Sequence, residues 1–200
     1  TDVQDWGMSK LMCDKLGPKA KVLDDIGHHL PGVNIEQIIA ILLDEGKLGG
    51  FHFNNRKYAD DDLICGTVQP LEIFLVFKEI IDAGLDGCDT AITYMLDQSH
   101  NIEPSIEGII YSVMNIQKAH AKALTIDRGA LSTAQAEHDV ILANKTLMDA
   151  FQTDVEPLVA QVRLELDLCH IDPLLYYRSG GWAVKIISDR GGKGINTLGG

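Results

Sequence analysis

The sequence predicts an α/β fold in which short parallel strands alternate with helices, followed by a stretch of helices alone. Three observations carry that expectation. Up to about Ile126, windows with helical apolar spacing alternate with short runs rich in strand formers, which is the pattern of βαβ units. Glycine or proline stands at most changes of period, where each interrupts the preceding element. From Arg128 onward the strand-like runs stop while helical spacing continues.

The elements follow in order. Met8, Leu11, Met12 and Leu16 recur at helical spacing, and Gly17 with Pro18 ends that helix. "AKVLDDIGHH" is a short strand with His28 just beyond its end. Asn34 suits a helix N-cap, Ile35, Ile38, Ile39, Leu42 and Leu43 form one apolar face, and Gly46 closes the helix. "LGGFHFN" is a second strand, and an aspartate-rich loop follows it. Pro70 opens the next helix, which Gly84 is expected to end. "TAITYML", residues 90 to 96, is a third strand reaching Asp97, and a long helix runs from near Pro104 to about Ile126. Two helices parted near Thr153 are expected between Arg128 and Leu168, then a short segment and a loose glycine-rich tail.

Bulk properties narrow the function. At 200 residues and mean hydropathy near zero, the chain reads as one sizeable soluble domain. Its longest apolar runs, such as "IIAILL", are too short to cross a bilayer. The net charge of −12, without a cluster of Lys or Arg, argues against a nucleic-acid partner. Cys13, Cys65, Cys88 and Cys169 have no CxxC spacing. They read as buried thiols of a reducing compartment, which makes the cytoplasm the expected location. The chain starts at Thr1 without a signal-peptide pattern, so it is expected to be processed or cut from something longer.

Alternation of side chains places chemistry at the strand ends. In the second strand Phe51 and Phe53 share one face, while Gly50, His52 and Asn54 share the other. That pattern suits a barrel wall, with the phenylalanines against helices and His52 pointing inward. In the first strand Leu23, Asp25 and Gly27 share a face, and in the third Thr93, Met95 and Asp97 do. Each strand therefore ends in a residue able to bind a metal. In α/β barrels, reactive groups gather at the C-terminal strand ends and the loops that follow. Asp25, His28, His52, Asp60, Asp62 and Asp97 would meet at one mouth.

Alone, His52 would read as a hydrogen-bonded core histidine and "ADDDL" as a solvated turn. Their coincidence with Asp25, His28 and Asp97 favours ligation instead. Two histidines with four carboxylates suit Mn, Co, Zn or Mg, and the number of ligands suits two ions. His29, His100, His120, His138 and His170 have no such placement and read as structural or surface residues. The tail "GGKGINTLGG" lacks the spacing of a phosphate-binding loop, and no G-x-S-x-G elbow occurs.

"LGPKAKVLDDIGHHLPGVNIEQIIAILLDEGKLGGFHFNNRKYADDDL" and "MLDQSHNIEP" closely resemble the barrel-type L-rhamnose isomerases, and "AKALTIDRGAL", "DAFQTDVEPL" and "YYRSGG" extend the resemblance over nearly the whole chain. It implies the C-terminal part of a (β/α)8 TIM barrel, three βα units over residues 1–126. A helical extension over 127–200 would make oligomer contacts. It also implies a homotetrameric enzyme of sugar catabolism interconverting L-rhamnose and L-rhamnulose by a hydride shift, with two divalent ions, commonly manganese. One ion would be held by residues matching Asp25, His52 and Asp97 with a glutamate from upstream of Thr1. The other would be held by residues matching His28, Asp60 and Asp62. Asp60, Asp62 and Asp97 would serve catalysis, with Ser99 a weaker candidate for a proton relay. Divalent ions supply the carbonyl polarisation such a shift needs. Two alternatives stay open: a metal-dependent hydrolase on the same kind of barrel, and a non-catalytic metal-binding fragment with open strand edges.

The resemblance has two departures. Asp24 stands where the family pattern has an apolar residue, on the helix-facing side of the strand, and a buried carboxylate there is costly unless paired. The upstream glutamate and five of a barrel's eight strands are absent from this chain.

Overall fold

A computed structural model of the chain describes residues 2–58 and 61–191. Three parallel strands, β1 (Val22–Asp25), β2 (Leu48–Phe53) and β3 (Thr93–Leu96), form one sheet in the order β1-β2-β3. The register sets Asp25 beside His52, and His52 beside Met95. A backbone bond from Asp97 N to the Phe53 carbonyl (3.4 Å) continues the ladder past β3.

The connections are helical, and their boundaries follow local chemistry. Helix α1 (Trp6–Leu16) starts at Asp5, whose carboxylate accepts from Met8 N, and stops at Gly17, which takes φ 104°. Asn34 caps α2 (Ile35–Asp44) by accepting from Gln37 N, and the five expected apolar residues of that helix are all buried. Pro70 is the first residue of α3 (Pro70–Leu85). Gly84 does not end that helix: it continues to Leu85, and the reversal is made at Gly87 with φ 86°. The third strand is shorter than the run "TAITYML", because Thr90 to Ile92 lead into it without joining the ladder.

Helix α4 (Ser105–Leu124) packs along α3. The expected pair of helices after Arg128 is three: α5 (Arg128–Ala136), α6 (Val140–Gln152) and α7 (Glu156–Glu165). The unforeseen break falls at His138, which adopts φ 58°, followed by Asp139 capping α6 through Leu142 N. No glycine or proline marks it. Two short helices, α8 (Pro173–Ser179) and α9 (Trp182–Asp189), follow. The glycine-rich tail from residue 192 lies outside the described residues.

The core lies between the sheet and α2, α3 and α4. Phe51 and Phe53 are buried, stack on each other at 5.0 Å between centroids, and continue through Phe53–Phe77 at 5.7 Å. The opposite sheet face is open: Leu23 and Met95 are exposed there, although parallel sheets are ordinarily covered on both faces. Burial of the thiols is uneven. Cys65 is buried, and burial pushes its pKa up to about 12, whereas Cys13, Cys88 and Cys169 are only partly buried. None of the four is in a disulfide. No described helix is long and apolar enough to cross a membrane.

Candidate metal centre

Three parallel strands bring their C-terminal ends to one side, so residues closing different strands meet. Asp25 ends β1, His52 is the penultimate residue of β2, and Asp97 follows β3. His52 Nδ1 lies 3.1 Å from Asp25 Oδ2 and 3.1 Å from Asp97 Oδ2. One ligand atom from each of the three residues falls within 4.8 Å of the others. Asp25 and His52 are partly buried and Asp97 is exposed, so the cluster opens outward on the Asp97 side. One imidazole nitrogen and two carboxylate oxygens are a donor set that fits manganese or zinc, with room for further ligands.

The cluster is held from behind. Asp25 Oδ1 accepts from Gly27 N (3.1 Å) and from Asn54 Nδ2 (2.9 Å), leaving Oδ2 toward His52. Asn54 is fully buried and also approaches Asp62 Oδ1 at 3.4 Å. It thus connects the Asp25 carboxylate to the aspartate loop. A Cβ at Gly27 would lie 2.4 Å from Asn54 Oδ1, so the close approach of the β1 corner to β2 needs glycine there. Strand alternation places Asn54 on the face of His52, yet does not disclose that it spans both carboxylates.

A second group adjoins the first. His28 closes the 3-10 turn Ile26–His28 that follows β1. Its Nε2 is 3.8 Å from Asp25 Oδ2 and 3.7 Å from Asp62 Oδ1. Asp62 takes φ 43°, an uncommon backbone for a residue with a Cβ. Its conformation is fixed from two directions: Ser99 Oγ donates to Asp62 Oδ2 (3.2 Å), and Ser99 N donates to the Asp62 carbonyl (3.1 Å). Ser99 therefore acts on Asp62, across the loops, rather than on its near neighbour Asp97. Asp61 turns away to accept from Lys57 N and Tyr58 N. Asp60 lies outside the described residues. The structure thus gathers Asp25, His28, His52, Asp62, Asp97 and Ser99 into one region of loops beyond the strand ends.

Asp24 faces the helices as its alternation requires, and is 1% exposed. Its Oδ1 meets His29 Nε2 at 2.9 Å, so the buried carboxylate has its partner. His29 is accordingly an interior residue with a defined contact. The carbonyl of His29 accepts from Arg56 Nη1, and Arg56 is itself buried. Nearby on α3, burial raises the pKa of the Glu72 carboxyl, and the Arg56 charge offsets only part of that rise. Neither His29 nor Arg56 carries a spacing signal; only Asp24, a charge in an apolar strand position, hints that partners exist.

No family model matches the chain. The chain is 48% identical over 203 aligned residues to a probable sugar isomerase of Rhizobium meliloti (strain 1021), covering 98% of the chain and 46% of that protein. It is 47% identical over 193 residues to a probable sugar isomerase of Mesorhizobium japonicum, covering 95% of the chain and 44% of that protein. The chain thus spans a little under half the length of the curated relatives it matches. Over nearly its whole length the chain is thus similar to part of two probable sugar isomerases.

Proposed function

We propose that the protein containing this chain is a metal-dependent aldose–ketose isomerase, and that L-rhamnose and L-rhamnulose are its substrate pair. The observation that carries the reading is the convergence of Asp25, His52 and Asp97 in a chain related to probable sugar isomerases. Asp25, His52 and Asp97 hold one divalent ion, and His28, Asp60 and Asp62 hold a second, with manganese the preferred metal. Residues 1–126 supply three βα units of a (β/α)8 barrel, and 127–200 supply helices for contacts in a homotetramer. The enzyme works in the cytoplasm.

In the open-chain sugar, the reaction moves hydrogen with its electron pair from C2 to C1, while a proton passes from the C2 oxygen to the C1 oxygen. When bound, divalent cations supply positive charge that stabilises those two oxygens as the shift proceeds. The chain's own residues fix that chemistry in place. Asn54 orients Asp25 by donating to Oδ1. Ser99 orients Asp62 by its hydroxyl and its backbone N–H. These contacts leave other carboxylate oxygens turned toward His52 and His28.

The test is a ketose assay on the longest native form of the protein, with Mn²⁺ and a panel of aldoses alongside a phosphoester. The reading expects ketose from L-rhamnose, lost on Asp97→Asn. Phosphoester cleavage without ketose formation would replace it with a hydrolase.

A further inference from the structure

We propose that Arg56 is a positioning residue for the His28 and Asp62 side of the site, because it ties the corner after β1 to the loop after β2. The inference deepens the functional reading above and rests on it for one point, that His28 and Asp62 serve as ligands.

His28 and Asp62 arrive on different loops, one closing β1 and the other following β2. Their distance is therefore set by whatever joins those loops. At the open side the two side chains approach to 3.7 Å. Behind them is a buried cross-link: Arg56 Nη1 donates to the carbonyl of His29, the residue next to His28. Arg56 stands two residues beyond Asn54, in the loop that leads to the aspartates, and is 5% exposed. The His29 ring is pinned in turn by Asp24. A guanidinium is always charged and has a rigid fork of donors, so burying it demands a defined surrounding. The Arg56 charge lowers the pKa of the Glu72 carboxyl against the upward push of burial, and Glu72 keeps one carboxylate oxygen buried without a hydrogen bond. Such a group fixes the spacing of the two loops more tightly than apolar packing would.

The experiment compares the chain with Arg56→Met and Arg56→Lys. Amide hydrogen exchange is measured first in EDTA, and Mn²⁺ binding is then followed through the resonance of the free ion. In Arg56→Met, exchange should quicken around Ile26 to Leu30 and Asp61 to Leu63, while α2 and β2 keep their protection. The class of Mn²⁺ sites that His28→Ala removes should lose ~10- to 100-fold in affinity, as loss of a ligand's supporting partner does, with the other class changing by less than about twofold. Arg56→Lys should recover part of that loss through a single donor to the His29 carbonyl.

Unchanged exchange and two intact classes in Arg56→Met overturn the positioning role and leave the metal reading standing. Equal loss in both classes also overturns it. A wild-type chain that binds no Mn²⁺ overturns the metal reading and the positioning role together, even where the exchange effect holds. Should Arg56→Met fail to fold by circular dichroism, Arg56→Lys decides by the same comparison of classes.

Discussion

Asp24 and Gly27 show at the residue scale how the strand corner is specified. A carboxylate on the helix-facing side of β1 is tolerable because His29 Nε2 stands 2.9 Å away. Asp24→Leu leaves that imidazole without its partner and should cost about 1–3 kcal/mol. His29→Leu strands a buried carboxylate and should cost about 3–5 kcal/mol. The double variant should lose clearly less than the sum, which urea denaturation of all four proteins in EDTA measures. Gly27→Ala pushes a methyl into Asn54 Oδ1. Asn54 is buried and can shift only by giving up its contacts, so about 1–3 kcal/mol of stability should be lost through overpacking. Mn²⁺ binding should weaken with it, since Asn54 then releases Asp25 Oδ1; Gly27→Ala that binds the ion as wild type does would refute this.

At the element scale, most boundaries were legible because local chemistry sets them. Asn34 and Pro70 announce helix starts, and the spacing from Ile35 to Leu43 matches a buried face. The alternation of Phe51, His52 and Phe53 predicts which side chains meet the helices and which meet the site. The α5–α6 break was not legible, because His138 supplies the positive φ that glycine usually signals. The length of β3 was not legible either. Strand formers continue from Thr90 to Ile92, but Ile92 N donates to the Thr90 carbonyl in a local turn, and pairing with β2 begins only at Gly50 opposite Thr93. Asn54, Arg56 and the pairing of Ser99 with Asp62 stayed hidden since each is a contact between loops, on which periodicity is silent.

The α3–α4 contact carries a pH dependence of its own. His120 on α4 packs one side of its ring against Phe77 at 5.1 Å while remaining open to solvent, and that partial desolvation lowers its pKa below the ordinary 6.5. The unfolded chain therefore binds this proton more readily than the folded one. Its contribution is fully present above 6.5 and is lost as pH falls through the lowered folded value. Urea midpoints at about pH 7.5 and about pH 5.5 should differ less in His120→Leu than in wild type. An equal difference in both would remove His120 from the account.

The whole molecule is a sheet with one finished face. Helices cover Phe51 and Phe53, while the opposite face exposes Leu23 and Met95 around the candidate ligands. Both outer strands, β1 and β3, pair on one side only among the described residues, and open edges favour further pairing. The chain spans a little under half of its relatives. Asp25, His52 and Asp97 are placed to hold a divalent ion. A thermal melt in EDTA and then in rising Mn²⁺ tests it most directly. The midpoint should climb and saturate, corresponding to about 2.7 kcal/mol for each site at one hundred times its dissociation constant, and His52→Ala and Asp97→Ala should each cut the climb back to what the His28, Asp60 and Asp62 site alone gives. A midpoint indifferent to Mn²⁺, or a climb undiminished by both substitutions, would contradict this.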